Sequence, residues 1–503
     1  MQPSYVPHVS SPSSTLAIPS RTPDHSINNV PPSLSPTSQS QPGDQNNPGT
    51  NRKYSNSSTQ LLLEWMWSGS DRKSLDELNT LVHRVLRDPS FSLDDLVSFD
   101  ARTETAKLDA QLEKEPDTWK ETVVTIQVPD GKPHPGGEDV PCFPVLGLVH
   151  RSLTAVIRTV WSNPASNDFH YIPFRQFYQR PSPPNTDPED GHGEPPLPPQ
   201  RVYDELYTSE AFNVAHEALQ DSPPEPNCDL ERVICALMFW SDSTHLANFG
   251  DAALWPLYLF YGNQSKYTRG RPTSGACHHV AYIPKVCCIG CSVIWTGLGP
   301  NADVLTHCRR ELMHEVWRVL LDDDFMHAYS HGLVIECADG IMRRVYPRMF
   351  TYSADYPEKV LLATLRNLGA HPCPRCTIPK EKIPELGMKR DDTRRVKQGR
   401  THDHQYKYDI EHARKKIYEG GVGVKSKYVE DVLSKESYVP TSNAFVDKFT
   451  DFGQNIFSFF VVDLMHEFEL GVFKSVFIHL IRMLISIGDS AIQRFNERYV
   501  SQP

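Results

Sequence analysis

Eight consecutive residues, Val233-Ile-Cys-Ala-Leu-Met-Phe-Trp240, carry no charge and are mostly apolar, and they are followed at once by Ser241 and Asp242. An apolar run of this length bounded by polar residues predicts a strand buried on both faces. A carboxylate close to the end of such a strand is costly unless something binds it. Asp242 is therefore a candidate metal ligand.

A second acid stands downstream. Arg344-Val-Tyr-Pro-Arg-Met-Phe-Thr-Tyr-Ser-Ala354 is strand-like and leads to Asp355, after which Pro357-Glu-Lys-Val-Leu-Leu-Ala-Thr-Leu365 has a helical pattern. Proline suits a first helical turn, where its missing N–H is not needed, so Asp355 sits where a strand ends and a helix begins. Two strand-end acids far apart in sequence can meet in space. Hard divalent cations take oxygen ligands, and a pair of them about 4 Å apart stabilises both the attacking and the leaving oxygen of a phosphoryl transfer. On spacing alone the plain alternative stays open, that each acid is an ordinary cap or surface carboxylate.

Six segments carry a family resemblance: Trp240-Ser-Asp-Ser-Thr-His-Leu246, Tyr261-Gly-Asn-Gln-Ser-Lys-Tyr-Thr-Arg269, Gly275-Ala-Cys-His-His-Val-Ala-Tyr-Ile-Pro284, Tyr352-Ser-Ala-Asp-Tyr-Pro-Glu-Lys-Val360, Cys373-Pro-Arg-Cys376 and Val462-Asp-Leu-Met-His-Glu-Phe-Glu-Leu-Gly471. From about Leu62 to its end the chain resembles the Plavaka transposases of fungal DNA transposons, which are similar to the CACTA group. The resemblance implies an α/β protein with an RNase H-like mixed-sheet core, in which two Asp and a later Glu or Asp bind two Mg²⁺ (or Mn²⁺) ions and cut, then rejoin, transposon-end DNA. Asp242 matches the first acid and Asp355 the second, and His245 belongs to the first motif as a supporting residue. The Cys-x-x-Cys and the Asp-x-x-His that such transposases carry are here Cys373/Cys376 and Asp463/His466.

A lone Cys-x-x-Cys is half of a zinc site, since a closed structural site needs four ligands. With His466 or His371 completing it, Cys373 and Cys376 would hold Zn²⁺, and a weaker reading makes the whole protein a zinc-binding scaffold. The alternative is a tight turn with buried thiols, its backbone set by Pro372 and Pro374. Asp463 and His466 have two readings as well. They support the active site, with Asp463 orienting His466, or they form the loop and first turn of a helix, where the dipole favours an acid.

Two departures from the family stand out. In relatives the third acid lies well beyond the Asp-x-x-His, whereas this chain stops at Pro503; Glu467, Glu469 and Glu497 match nothing. The expectation is a truncated core, weak or dead in catalysis, and a non-catalytic DNA- or protein-binding relic is the competing function. The second departure, Lys285-Val-Cys-Cys-Ile-Gly-Cys-Ser-Val-Ile-Trp-Thr-Gly-Leu-Gly299, lacks clear periodicity and reads as translated intron sequence or a wrong splice. A metal site on Cys287, Cys288, Cys291 and Cys308 is its competitor.

The expected organisation follows the composition. Residues 1–58 form a disordered tail, because the first 50 hold ten prolines and too few large apolar groups to offset the entropy of ordering. Residues 59–180 are expected to be mainly helical, with a capping box at Ser74-Leu-Asp-Glu77 ahead of Leu78, Leu81, Val82, Val85 and Leu86. A Pro-rich linker and short helix occupy 181–225, and the core with its first two acids occupies 226–376. An inserted basic, helical region follows at 377–460, and 461–503 holds the Asp-x-x-His motif and a helix.

The net charge of −11 argues against a broadly basic nucleic-acid binder. Between Lys389 and Lys427, however, twelve Lys/Arg face six Asp/Glu. Lys389, Arg390, Arg394 and Arg395, together with Lys266 and Arg269, are the candidate contacts to DNA phosphates. A solvated helix around Asp409, Ala413 and Lys416, and a basic turn between strands, are the alternatives. Partners expected are transposon-end and target DNA and a homo-oligomeric copy. Eleven cysteines with no regular framework and no signal-like apolar start predict a nuclear or cytoplasmic, non-secreted protein. No membrane span is expected, because Lys474, His479 and Arg482 interrupt the apolar stretch 472–487.

Overall fold

In a computed structural model that describes residues 55–67, 79–112, 117–179, 198–245, 253–284 and 301–500, the uncharged run lies inside an eleven-residue strand. The expected disordered tail up to residue 54, the capping box at 74–77, the greater part of the Pro-rich stretch and all of Lys285–Gly299, with Cys287, Cys288 and Cys291, lie outside the described residues. The chain divides into two compact units, Met1–Phe99 and Asp100–Pro503. In the first, Ser57–Trp67 is helical and the Ser58 hydroxyl both donates to the Ser92 carbonyl at 3.0 Å and accepts from the Ser92 amide at 2.7 Å.

The second unit holds the strands β1 (Lys120–Gln127), β2 (Cys142–His150), β3 (Gln176–Tyr178), β4 (Gln200–Val202), β5 (Glu231–Ser241), β6 (Thr244–His245), β7 (Ala253–Leu254), β8 (Pro256–Tyr261), β9 (His278–Tyr282), β10 (Leu333–Glu336) and β11 (Met342–Ser353). Seven of them form one mixed sheet in the order β1-β2-β9-β8-β5-β11-β10, while β3–β4 and β6–β7 are separate pairs. All neighbours in the large sheet are antiparallel except β5 and β11, which run parallel.

Strand β5 is central, and its alternation sends Val233, Cys235, Leu237 and Phe239 into the main core and Ile234 and Ala236 into a second one beneath the Glu210–Asp221 helix. Burial on both faces is why no charge is tolerated from Val233 to Trp240. On the main side the Ala302–Leu320 helix seats Trp317 edge-on to Phe239 at 5.2 Å and against Phe445 at 4.8 Å. On the other, Phe212 stacks on Phe350 of β11 at 5.2 Å.

The Ala302–Leu320 helix also buries polar groups. Glu311 receives the Arg414 guanidinium at 2.6 Å, Arg414 coming from the His404–Tyr418 helix of the inserted region. His307 shares a 2.8 Å hydrogen bond with the Tyr418 hydroxyl. His314 Nδ1 accepts from the Ala444 amide at 3.2 Å while Nε2 faces the Leu361 carbonyl at 3.4 Å, a pattern that a neutral ring satisfies. Burial pushes both histidines down to about 4. Cys308, on the same helix, is buried.

Three expectations need correction. Residues 59–180 hold sheet strands beside their helices: β1 and β2 form one side of the large sheet, and β2 pairs with β9, so the sheet begins near Lys120 rather than Pro226. Thr122, Val123, Val124, Thr125 and Ile126 are β-branched, and the alternating burial of β1 is the strand signal that the helical reading passed over. The inserted helix around Asp409 is not a plain solvated one, since Tyr406, Ile410, Ala413 and Ile417 are buried. The apolar C-terminal stretch is longer than 472–487: a continuous helical run, Leu464–Ile487, is by length and composition long and apolar enough to cross a membrane, and none of it is buried.

Replacing Glu311 by Leu should cost about 3–5 kcal/mol in urea unfolding, because it strands the buried Arg414 charge, and the double change with Arg414→Met should recover most of the loss. For the histidines, the unfolded chain takes up protons below the ordinary 6.5, whereas the folded rings stay neutral down to about 4. The unfolded state therefore binds more protons in that window, and stability is expected to fall as pH drops from 6.5 toward 4, by roughly 3 kcal/mol per ring. Denaturation midpoints of wild type and His314→Gln across that range would check it, the variant showing the shallower slope.

Candidate active site

Parallel strands end on the same edge of a sheet, and here that geometry brings the acids together. Ser353 of β11 is in register with Trp240 of β5, so Asp242 and Asp355 leave the sheet side by side. A third segment joins them. Phe460 bridges Tyr352 in parallel, the Tyr352 amide donating to the Phe459 carbonyl at 2.8 Å and the Val461 amide to the Tyr352 carbonyl at 3.2 Å. Only this short piece is extended, because Ile456–Ser458 turns as a single helical loop. Asp463 follows two residues later at the same edge.

Each downstream acid caps a helix. Asp355 Oδ1 accepts from the Glu358 amide at 2.8 Å at the start of the Tyr356–Leu362 helix. Asp463 Oδ1 accepts from the His466 amide at 3.0 Å, and its Oδ2 accepts from Trp240 Nε1 at 3.3 Å and meets His466 Nδ1 at 3.0 Å. Asp463 thus caps the helix and also holds the His466 ring. The other ring nitrogen, Nε2, lies 4.0 Å from Asp242 Oδ2. Burial alone would raise the Asp463 carboxyl, but hydrogen bonds from the His466 amide, the His466 ring and Trp240 outweigh it and hold the group below the ordinary value. The hydrogen bond to Asp463 lifts His466 above its ordinary value, against partial burial, with the Asp242 and Asp355 charges adding.

Behind the acids lies a layer that the sequence did not disclose. Glu358 turns inward, where Oε1 accepts from the Ser241 hydroxyl and Oε2 from Trp255 Nε1 at 3.0 Å, and the Tyr352 hydroxyl meets Ser241 Oγ at 2.8 Å. Burial, with the Asp355 and Asp242 charges adding, pushes Glu358 up to about 8 against the Ser241 and Trp255 hydrogen bonds. Lys359, 3% exposed, donates to the Val461 carbonyl at 2.8 Å and pairs with Glu467 at 2.5 Å, tying the third segment to the second. Asp355-Tyr-Pro-Glu358 has the form of a capping box, so the only sequence signal at Glu358 points to a different role.

The oxygen-rich pair Asp242 and Asp355 suits a hard divalent cation, which commonly keeps waters and takes one or two carboxylates together with substrate phosphates. Among the described residues no three His, Cys, Asp or Glu side chains converge into a closed metal cage. Cys373 and Cys376 lie against one another, the Cys376 thiol donating so as to favour a thiolate at Cys373, which also accepts from the Arg375 amide at 3.4 Å. His466 has both ring nitrogens toward carboxylates and so does not serve the cysteine pair. His371 Nδ1 is buried without a hydrogen-bond partner. Arg400, fully buried, fastens this turn by donating to the carbonyls of Cys373, His371 and Glu436 at 2.8, 2.8 and 2.9 Å. His245 lies in β6, paired with Ala253.

Four of the six candidate DNA contacts have partners within the chain. Lys266 pairs with Asp204, Arg269 with Glu205 at 3.6 Å, Arg394 with Glu385 at 2.6 Å and Arg395 with Asp391 at 2.8 Å. The acids that meet Lys266 and Arg269 lie some sixty positions away in sequence, beyond the reach of local charge counting. Lys389 and Arg390 are exposed, at a turn where Arg390 adopts a left-handed backbone (φ 76°).

The fold and site define an α/β protein with an acidic edge built where parallel segments of a mixed sheet end. The sequence profile of the Plavaka transposase family matches residues 103–481, more than half of the chain, and the protein belongs to that family. No curated protein matches it.

The hydrogen bond between Asp463 and His466 makes a direct prediction. The His466 ring, followed by NMR, should titrate above its ordinary value, and Asp463→Asn should lower the midpoint because the first of the causes that raise it is removed. An unchanged midpoint in the variant would show that the pair does not form.

Proposed function

We propose that this protein is a DNA transposase of the RNase H-like, CACTA-related kind, with Asp242 and Asp355 as the carboxylates that hold Mg²⁺ or Mn²⁺. The observation that carries the reading is the parallel register of β5 and β11, which delivers both acids to one edge, with the 459–461 segment adding Asp463 beside them. Three antiparallel strands, β9, β8 and β5, followed by the parallel β11, support the RNase H-like comparison. Family membership implies that DNA is bound.

When bound, the metal ions would supply Lewis-acid stabilisation of the oxygens that gain charge as a phosphodiester is cut or joined. The residues of the chain do the rest. Asp355, fixed by its cap on the Glu358 amide, and Asp242, at the end of the parallel strand, are the residues that would hold the cation. His466, held by Asp463, stands beside Asp242 as a charged or hydrogen-bonding group that can face a phosphate. Lys389 and Arg390 are the exposed cations on which DNA contacts are proposed, with salt-sensitive affinity. A nuclear or cytoplasmic location and a homo-oligomeric form belong to the same proposal, as does a Zn²⁺ ion on Cys373 and Cys376, for which loss of bound zinc in Cys373→Ser is the check.

Incubating the purified chain with transposon-end duplex and Mn²⁺ or Mg²⁺ should give nicked or joined products in low yield, since only two of the three expected acids are matched, and Asp242→Asn and Asp355→Asn should each remove them. DNA binding without metal-dependent products from the wild type would instead establish the inactive, DNA- or protein-binding relic.

A further inference from the structure

The acidic edge rests on a buried carboxyl, Glu358, which lies within one of the family segments yet has no role assigned to it there. Ser241 immediately precedes Asp242, and Glu358 lies one helical turn after Asp355. Their side chains join directly beneath the two acids, and both are shut away from water, Ser241 at 0% and Glu358 at 6% exposure. Trp255 and Tyr352 complete the network, so that every oxygen of Glu358 and Ser241 in it has a partner.

An apolar residue would be the cheaper occupant of such a place. A carboxyl buried behind two other carboxylates is penalised by desolvation and by like charge in its ionised form, and in its neutral form it still demands partners. What the arrangement does in return is mechanical. β5 and the Tyr356–Leu362 helix have no backbone hydrogen bonds to one another at the level of the acids, because the ladder between β5 and β11 ends at Trp240 and Ser353. The Ser241–Glu358 contact is the link that spans the gap beyond the ladder.

We propose that Glu358, acting through Ser241, is a positioning residue of the metal site, holding the end of β5 and the start of the Tyr356–Leu362 helix at the spacing that lets Asp242 and Asp355 share a cation. The proposal rests on the reading of those two acids as metal-binding. Glu358 touches neither cation nor DNA in it. Gln can replace Glu358, since its amide oxygen accepts from Trp255 and its amide nitrogen donates to Ser241 Oγ, whose own proton then turns to Tyr352. Leu cannot, and Ser241→Ala cuts the same link from the other side while removing a single oxygen.

The test measures Mn²⁺ binding to the full chain by the loss of the free-ion paramagnetic resonance signal, alongside backbone hydrogen exchange at 241–244 and 355–359. Wild type, E358Q, E358L, S241A and D355N would be compared, S241A covering the case in which E358L does not fold. We expect E358L and S241A to weaken Mn²⁺ binding about 10–100-fold, the range typical of residues that orient metal ligands, and to speed exchange in both segments. E358Q should remain close to wild type in both readouts. Unchanged Mn²⁺ affinity in E358L and S241A, while D355N abolishes binding, would overturn the positioning role and leave the acid pair intact. E358Q weakened as far as E358L would overturn it too. Wild-type Mn²⁺ binding that is absent or indifferent to D355N would instead bring down the acid-pair reading, and this inference with it.

Discussion

Parallel pairing between β5 and β11 is the constraint on which the rest of the molecule depends. An antiparallel neighbour would carry its C-terminal end to the opposite edge of the sheet, and Asp355 would then lie a full strand length from Asp242. Parallel neighbours need a long connection between them, and here it runs through β8, β9, the Ala302–Leu320 helix and the β10–β11 hairpin. That connection supplies the cover for one face of β5. The same elements that permit the pairing therefore build the core that buries it.

Several ionisable groups buried in the unit tie together chain segments distant in sequence. Glu311 and Arg414 join the Ala302–Leu320 helix to the inserted region, and Arg400 closes the cysteine turn over three carbonyls. Lys359 holds the 459–461 segment and Glu358 holds the end of β5. A buried charge is tolerated only with complete pairing, so such groups act as registers. A slipped element would leave one of them stranded, which makes near-native alternatives expensive. Around the acidic edge this rigidity meets a different surface, the exposed apolar run Leu464–Ile487 that starts from the Asp463 cap.

Much of the site could be read from sequence because its residues sit at transitions between structural periods. Asp242 follows an uncharged strand, Asp355 precedes a proline-started helix, and Asp463 stands before a long apolar helix. All three positions are where the structure has them. β1 and β2 were passed over although Thr122–Pro129 and Cys142–Val149 are each uncharged, since both lie in a stretch flanked by helices. The basic residues were harder still. Lys266, Arg269, Arg394 and Arg395 look available to DNA when counted along the chain, yet each meets an acid inside the fold.

By itself the sequence determined that a doubly buried strand ends in an acid, that a second acid starts a helix, and that the chain is of the Plavaka kind, because hydrophobic period, capping and motif order are local properties. Only the tertiary structure decided which acids share an edge, that His466 belongs to Asp463 and Asp242 rather than to the cysteines, and that Glu358 faces inward to Ser241. Those outcomes depend on strand order and direction and on which way a side chain turns once its neighbours are packed. No residue carries that information until distant segments have come together.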